Sequence, residues 1–308
     1  MNRTSRRAQP VLALSACLGL ALVLSACGGK EEKPAEDKPA EKQPEPEPEP
    51  DTTPAEPRFD LSGPKPPETS SVVFAVDGAL APMACFDKDK GALAAGADCA
   101  ALVAEGSEVY MEDSYGKKSL DKTLAGNKDS TCGDKGALPT AELDGGANYD
   151  WGVWPKSLGG DFTQIDPDTW SDRGARLEDA EQEAVLAAIT KVRNVKGEFQ
   201  SKQKAATDVD GDGKDDVFIS AIMLNPNDPD TYLFSGLFMA PGGDMANLVL
   251  LDRAKKGADV IRLRGTVDLD GDGKRELWTG ITFDGGDGNR MMKLGDKPEA
   301  LGKWTCGA

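Results

Sequence analysis

The sequence predicts a mainly β fold with one amphipathic helix, an α+β protein in which acidic, glycine-containing loops join strands at two places. Short runs rich in β-branched and aromatic residues alternate with Gly, Pro and Asp-Gly turn signals through much of the chain. One segment has the apolar spacing of a helix. The pattern Asp-x-Asp-x-Asp-Gly occurs at 208–213 and again at 268–273, each time shortly before an apolar run typical of a strand.

The N-terminus has the composition of a bacterial export signal. Basic residues precede a short apolar stretch from Val11 to Ala26. This stretch is shorter than the roughly 20 apolar residues of a transmembrane helix, which disfavours a membrane-spanning anchor. It runs into Leu24-Ser25-Ala26-Cys27, which resembles the lipobox of bacterial lipoproteins. The resemblance implies that residues 1–26 are a signal peptide that is removed, that Cys27 is lipid-modified, and that the protein is exported.

Two neighbouring details bear on the lipid anchor. Leu14-Ser15-Ala16-Cys17 also fits the lipobox, but it leaves an apolar region of only about seven residues, at the lower limit for a signal peptide. We therefore expect lipidation at Cys27. Gly28 follows, where inner-membrane lipoproteins of enteric bacteria carry Asp. We therefore expect attachment to the outer membrane, with the inner membrane as the alternative and the folded region outside the cytoplasm.

Residues 27–70 are predicted to form a disordered tether. The segment is dense in Pro, Glu and Lys, and Glu and Pro alternate from Glu45 to Pro50. Almost nothing in it can be buried, so packing cannot offset the conformational entropy lost on ordering. An extended, Pro-rich chain rises about 3.1 Å per residue, so this tether would hold the folded region up to about 100 Å from the bilayer.

The rest of the chain is predicted to form two domains, a small β-rich domain at 71–170 and a helix plus β-rich domain at 171–308. In the first domain, Val72–Val76 and Glu108–Glu112 are apolar runs between turn signals and are predicted strands. Ala92–Val103 is predicted to be a short helix.

The second domain begins with the predicted amphipathic helix, Leu177–Val192. Apolar residues recur there at helical spacing, which indicates one face turned to a core. Acidic residues fill the first turns, and Lys191 and Arg193 lie at the end, a distribution that suits the helix dipole. Because this helix precedes the acidic loops, we expect it to pack on their sheet.

Four cysteines remain beyond the signal peptide and Cys27, and an even number in an exported chain suggests two disulfides. Three pairings are possible. We favour Cys85–Cys99, which closes about 15 residues and would contribute about 3 kcal/mol, and Cys132–Cys306, which closes a much longer loop. A zinc site is the poorer alternative, because the chain has no His and no Cys-x-x-Cys spacing.

The two acidic loops have the residue types and spacing of Ca²⁺ sites. Ca²⁺ is a hard cation that takes six to eight oxygens, mostly from carboxylates and carbonyls. Gly213 and Gly273 lie where such a loop must turn sharply, and Val209 and Leu269, between ligands, are expected to face a core. The predicted ligands are Asp208, Asp210, Asp212, the Lys214 carbonyl and Asp216 in the first loop, and Asp268, Asp270, Asp272, the Lys274 carbonyl and Glu276 in the second.

These loops differ from EF-hands. An EF-hand has a bidentate Glu at position 12, where this chain has Ile219 or Thr279, and strand-like runs follow instead of a helix. Strand, calcium loop and strand resembles the FG-GAP/VCBS type of repeat found in integrin-like propeller blades, over Asp208–Asp216 and Asp268–Glu276 only. The resemblance implies two structural Ca²⁺ ions. A propeller needs about four to eight blades, so two loops do not predict a full one. The alternative is a pair of metal-free Asp-Gly turns.

An aromatic segment offers a second possible site. Tyr149, Trp151 and Trp154 lie close together, with Trp170 further on, and aromatics near carboxylates can form a platform for sugars. Tyr149 and Trp151 are expected to share a strand face. Packing in the core is the favoured interpretation, because Trp side chains are mostly buried in domains of this size.

The composition excludes several function classes. Without His, the chain cannot carry a Ser-His-Asp or Cys-His centre or a His-ligated zinc, and it has no P-loop. Enzymatic activity is not expected, and a His-free carboxylate hydrolase is the alternative left open. A net charge of −17 disfavours nucleic acid as a partner.

The sequence therefore predicts a cell-envelope lipoprotein with structural calcium loops that serves in binding, adhesion or scaffolding. Its expected partners are the membrane, through the lipid, and an envelope protein or glycan. The alternative is a surface protein that binds or cleaves carbohydrate with the Trp-rich segment.

Overall fold

The structure is a computed structural model that describes residues 59–76, 79–113, 116, 118–129, 137–141, 149–255, 257–283, 286–295 and 297–307. The predicted signal peptide, Cys27 and residues 27–58 of the predicted tether lie outside the described residues. All described residues belong to one compact unit. Within them, no helix combines the length and the apolar character needed to cross a membrane.

Antiparallel strands dominate the described part, which confirms the mainly β prediction. In chain order the strands are β1 (Ser71–Val76), β2 (Leu80–Asp87), β3 (Ala92–Ala94), β4 (Glu108–Glu112), β5 (Lys118–Asp129), β6 (Ala137–Ala141), β7 (Trp151–Trp154), β8 (Thr163–Gln164), β9 (Phe199–Thr207), β10 (Asp216–Leu224), β11 (Tyr232–Ala240), β12 (Val249–Arg253), β13 (Val260–Val267), β14 (Glu276–Phe283), β15 (Gly286–Lys293) and β16 (Glu299–Gly307). The α-helices are α1 (Ala97–Ala100) and α2 (Asp179–Val192).

The strands form three sheets. The order is β3-β2-β1-β7-β4-β5-β6 in the seven-stranded sheet, β12-β11-β10-β9 in the four-stranded sheet and β16-β15-β14-β13-β8 in the five-stranded sheet. The two runs predicted as strands in the first half are β1 and β4, and the runs after the acidic loops are β10 and β14. Each acidic loop connects two neighbouring antiparallel strands, β9 to β10 in one sheet and β13 to β14 in another.

The predicted helix at Ala92–Val103 is wrong for most of its length. Its first residues form β3, where Ala94 pairs with Cys85 of β2, and only α1 is helical. Gly96 lies between them at φ 71°, a left-handed conformation that cannot continue a right-handed helix. Cys99 in α1 forms the predicted disulfide with Cys85, with the Cα atoms 5.5 Å apart. Cys132 and the side chain of Cys306 lie outside the described residues, so their pairing stays a prediction.

The amphipathic helix prediction is confirmed, with the start at Asp179. Glu178 and Glu181 form a capping box, in which the Glu181 carboxylate accepts a hydrogen bond of 2.9 Å from the Glu178 backbone N–H. Val185 and Ile189 are buried in a core cluster with residues of β10 and β11. As expected, the helix therefore packs on the sheet that carries the first acidic loop.

One core cluster joins the seven-stranded and five-stranded sheets. It combines Val73 and Trp151 with Val267, Trp278 and Met291. This core crosses the predicted domain boundary after residue 170, and so does the pairing of β8 with β13. The division into two domains stays a prediction.

The described end of the predicted tether, residues 59–70, packs on the fold. Phe59 and Leu61 contact the core cluster that joins the two sheets. The Pro64 carbonyl accepts a hydrogen bond of 2.6 Å from the Ser157 hydroxyl, and the Lys65 ammonium lies 2.8 Å from an Asp161 carboxylate oxygen. These contacts bring Pro66 and Pro67 against the second acidic loop.

Candidate metal sites

The first acidic loop is organised by its own backbone. The Asp208 carboxylate accepts hydrogen bonds of 2.8 Å from the Gly211 N–H and 2.9 Å from the Gly213 N–H. Both glycines have positive φ, 76° and 82°, which other residues rarely adopt. The loop therefore curls around the side chain of its first acid.

The second loop repeats this arrangement. The Asp268 carboxylate accepts hydrogen bonds of 2.8 Å from the Gly271 N–H and 3.0 Å from the Gly273 N–H. The two glycines again have positive φ, 74° and 84°. Matching geometry in two unrelated sheet positions indicates that the sequence pattern itself dictates the loop.

Each loop brings three carboxylates together. Asp208, Asp210 and Asp216 each offer an oxygen, and these oxygens lie within 4.8 Å of one another. The second set consists of Asp268, Asp270 and Glu276 and meets the same limit. The structure thus unites positions 1, 3 and 9 of the predicted ligand sets, and each set can hold a metal ion.

The acids at position 5 fall outside these sets. The Asp212 carboxylate instead accepts a hydrogen bond of 2.8 Å from the Lys214 N–H, and the Asp272 carboxylate accepts one of 2.8 Å from the Lys274 N–H. Coordination by these two carboxylates and by the carbonyls of Lys214 and Lys274 stays a prediction.

The last acid of each set is buried at the start of a strand. Asp216 is 1% exposed, and its carboxylate accepts hydrogen bonds from the backbone N–H groups of Val209 (3.0 Å) and Gly242 (2.8 Å). Glu276 is also 1% exposed and accepts one from the Leu269 N–H at 2.9 Å. Val209 and Leu269 are buried, which confirms the prediction that these residues face a core.

Burial makes both of these carboxylates costly to ionise. It raises the pKa of Asp216, against the effect of its two backbone hydrogen bonds. It raises the pKa of Glu276 to about 8, and the charges of Asp270 and Asp268 act in the same direction. The backbone hydrogen bond from Leu269 and the charge of Lys293 act against it. A bound cation would neutralise this uncompensated negative charge, which is the property expected of a metal site.

The second loop already has one internal cation. The Lys293 ammonium lies 3.2 Å from an Asp270 carboxylate oxygen. Burial works against the charged form of Lys293, but the hydrogen bond to Asp270 and the charges of the neighbouring carboxylates together outweigh it, and the pKa of the ammonium is raised. On the first loop the corresponding partner is weaker, since Lys214 lies 4.0 Å from Asp212 and is largely exposed.

The two loops touch each other, although they belong to different sheets. The Arg275 N–H donates a hydrogen bond of 2.8 Å to the Val209 carbonyl. A Cβ added to Gly211 would lie 2.9 Å from the Gly273 carbonyl oxygen, so glycine is needed for this approach. The charges of Asp208 and Asp268, one from each loop, both favour the charged form of the Arg275 guanidinium. Burial has the larger effect and lowers the pKa of Arg275. Sequence analysis missed this contact because no local pattern indicates which sheets meet.

The aromatic segment is mainly core. Tyr149 and Trp151 are each 4% exposed, and the Trp151 ring stacks on Phe162 with centroids 3.6 Å apart. The expectation that they share a strand face is wrong, because Tyr149 and Trp151 belong to different core clusters. Trp154 packs against the Tyr149 cluster, whereas Trp170 lines an open pocket.

No family model matches the chain, and no curated protein or solved structure is significantly similar to it. Function is therefore inferred from the chemistry of the described residues.

Proposed function

We propose that this chain is a lipid-anchored envelope protein whose exported β-rich region is a binding, adhesion or scaffolding module stabilised by two Ca²⁺ ions. The observation that carries the proposal is the repeated loop, in which three carboxylates converge to within 4.8 Å on the same backbone scaffold. The lipobox at Leu24–Cys27 supports the anchor.

The donor set favours Ca²⁺ among common metal ions. Every side-chain donor in both sets is a carboxylate oxygen, whereas zinc sites are built mainly from Cys and His. Mg²⁺ requires near-ideal octahedral geometry and retains several waters, while Ca²⁺ tolerates flexible coordination by six to eight oxygens. Backbone carbonyls and water would complete the shell.

The ions would act in structure and not in chemistry. Both loops are strand connections whose acids are also hydrogen-bonded to the loop backbone. Extracellular modules bind Ca²⁺ with a Kd of roughly 10⁻⁴–10⁻³ M. At about 1 mM Ca²⁺, linkage then gives about 0.4–1.4 kcal/mol per site. We propose no enzymatic activity, because the best-organised carboxylates are engaged in these loops.

The anchor is tested by cell fractionation with a matched pair of variants. Cys27→Ser should release the protein from the membrane fraction, because it removes the proposed lipid acceptor. Cys17→Ser, in the competing lipobox, should leave it there. Mass spectrometry of the wild-type protein should show a diacylglyceryl Cys27, and density separation of the two membranes decides between outer and inner attachment. A soluble wild-type protein with an unmodified Met1 would overturn this proposal.

The binding role is tested by cross-linking the anchored protein in its own envelope, with and without chelator. Specific capture of an envelope protein or glycan that weakens in chelator supports a calcium-stabilised module. Recovery of the chain without any cross-linked partner in either condition would argue against adhesion or scaffolding.

The second candidate function, carbohydrate binding, is favoured by the pocket beside Trp170.

A further inference from the structure

A pocket opens between β13, β9 and the segment that precedes α2. It is small and open, with an internal volume of ≈ 60 Å³, so a ligand the size of a sugar would lie partly outside it. Aromatic rings and two arginines meet in its wall, among them Trp170, Arg262 and Arg264. Neither arginine was singled out by sequence analysis, because their position becomes visible only once β13 is placed in its sheet.

Arg262 is a half-buried cation for which the described residues provide no side-chain hydrogen-bond partner. Its guanidinium lies over the Trp170 ring, 5.6 Å from the centroid. Within the described residues it donates no side-chain hydrogen bond and forms no ion pair. Asp150, Asp172 and Asp287 act on it only through longer-range electrostatics, while burial and the nearby Arg264 charge lower its pKa. A desolvated guanidinium with free N–H donors is costly, and a bound oxyanion would satisfy it.

The neighbouring Arg264, in contrast to Arg262, has partners for its guanidinium. Its guanidinium donates a hydrogen bond of 2.7 Å to the Asn289 side-chain oxygen and lies 3.7 Å from an Asp150 carboxylate oxygen. Gly280 makes room for both arginines, since a Cβ there would lie 2.7 Å from Arg264 Cδ and 3.4 Å from Arg262 Nε. The fold therefore places two cations side by side and provides hydrogen-bond partners for one of them.

The walls of the pocket are fixed in advance. The Trp170 indole N–H donates a hydrogen bond of 3.2 Å to Asp172, and the Trp170 backbone pairs with Gln203 of β9. The Gln203 side chain bonds both the N–H and the carbonyl of Leu263, each at 2.8 Å. A site held in this way loses little conformational entropy when a ligand binds.

We propose that this pocket binds an acidic sugar, with the sugar carboxylate on Arg262 and the ring against Trp170. Asp150, Gln164 and Asp166 also line the pocket. Each already has a partner within the protein, and each carries a further acceptor lone pair for a ring hydroxyl. A neutral sugar could accept hydrogen bonds from Arg262 through its hydroxyls but would leave the guanidinium charge uncompensated. A bare carboxylate would leave the aromatic wall and these acceptors unused. The inference names the ligand of the proposed binding module and rests on that part of the proposed function, but it does not depend on Ca²⁺.

The net charge of −17 restricts how an anionic ligand can bind to this chain. The chain as a whole repels anions, so an anionic ligand needs a local cation that is not already neutralised. Screening limits the general repulsion to about 8 Å at physiological ionic strength. Within that distance the pocket also carries Asp150 and Asp166, so the ligand carboxylate must contact Arg262 directly.

The test is titration of the full-length chain in detergent micelles with glucuronate, glucose and acetate, monitored by calorimetry and by Trp fluorescence. Glucuronate should bind at millimolar or lower concentrations and at least about 10-fold more tightly than glucose or acetate. Arg262→Gln should weaken glucuronate binding by roughly 10- to 100-fold, the effect of losing a charge-assisted hydrogen-bond pair. Arg253→Gln, the same change of charge at an exposed position, should bind like wild type.

Arg262→Lys is the second variant, in case Arg262→Gln does not fold with the wild-type melting temperature. It keeps the charge and loses the planar fork, so glucuronate binding should still weaken several-fold. Wild-type affinity in both variants, or equal affinity for glucose or acetate, would overturn the proposal. Absence of glucuronate binding would overturn it as well. Asp208→Asn removes an acid of the first proposed Ca²⁺ site, and it should bind glucuronate as the wild type does, because the pocket does not depend on that site.

Discussion

At the residue scale, Glu276 is the most informative side chain. It is buried at the first residue of β14, where burial and two neighbouring acids raise its pKa to about 8 from an ordinary value of 4.5. A carboxyl whose pKa is raised in the folded state binds its proton more tightly there than in the unfolded chain. Its contribution to stability is therefore complete below about pH 4.5 and is lost as the pH rises through about 8.

We predict that the chelated protein loses stability between about pH 5 and 8, and that Glu276→Gln flattens this loss. The substituted amide can still accept the hydrogen bond from the Leu269 N–H but carries no charge. Denaturant unfolding at several pH values measures the free energy directly. Parallel profiles for the wild type and the variant between about pH 5 and 8 would refute the prediction. Burial also raises the pKa of Asp216, so its contribution to stability has the same sign and is lost as the pH rises above the ordinary value of 3.8.

At the element scale, each loop has one glycine that packs closely against neighbouring backbone and one that has open space where a Cβ would lie. Gly271 and Gly273 have similar φ, 74° and 84°, so Ala at either position pays the same backbone strain of about 1–2 kcal/mol. A Cβ on Gly271 would lie 2.5 Å from the Pro66 carbonyl oxygen, whereas a Cβ on Gly273 would meet no described atom within 4 Å.

We predict that Gly271→Ala destabilises the protein by at least about 1 kcal/mol more than Gly273→Ala, because overpacking adds to strain. Chemical denaturation of both variants measures the difference. Equal losses would mean that residues 66–67 do not hold the second loop. The first loop provides a parallel test, since Gly211 approaches the Gly273 carbonyl oxygen and Gly213 has no described atom within 4 Å of its added Cβ.

The disulfide between Cys85 and Cys99 also stabilises the fold at the scale of single elements. It ties α1 to β2, and both cysteines are fully buried. We predict that the double variant Cys85→Ala/Cys99→Ala is less stable by about 3 kcal/mol, since closing a loop of this length restricts the unfolded chain. Non-reducing peptide mapping should recover the cross-linked pair from the wild type. Free thiols at both positions, or an unfolding midpoint that reductant does not change, would contradict it.

At the scale of the whole molecule, the sequence predicts what depends on short stretches of chain. The clustered loop carboxylates, the strands after them and the amphipathic helix α2 follow from residue types at fixed spacing. The helix at Ala92–Val103 failed because strand pairing and a left-handed Gly96 overrode local propensity. The contact between the loops and the position of Arg262 beside Trp170 depend on which strands become neighbours, and no local pattern specifies that.

The two acidic loops join this architecture together, because they connect strands in two different sheets and touch each other. The central claim is that each loop binds one Ca²⁺ ion. It is tested most directly by calorimetric titration of the chelator-treated, full-length chain in detergent. We predict two ions per wild-type chain, one for Asp208→Asn and one for Asp268→Asn, and two for the exposed control Asp230→Asn. No binding at millimolar Ca²⁺, together with a melting temperature that chelator does not change, would contradict the account and reduce both loops to Asp-Gly turns.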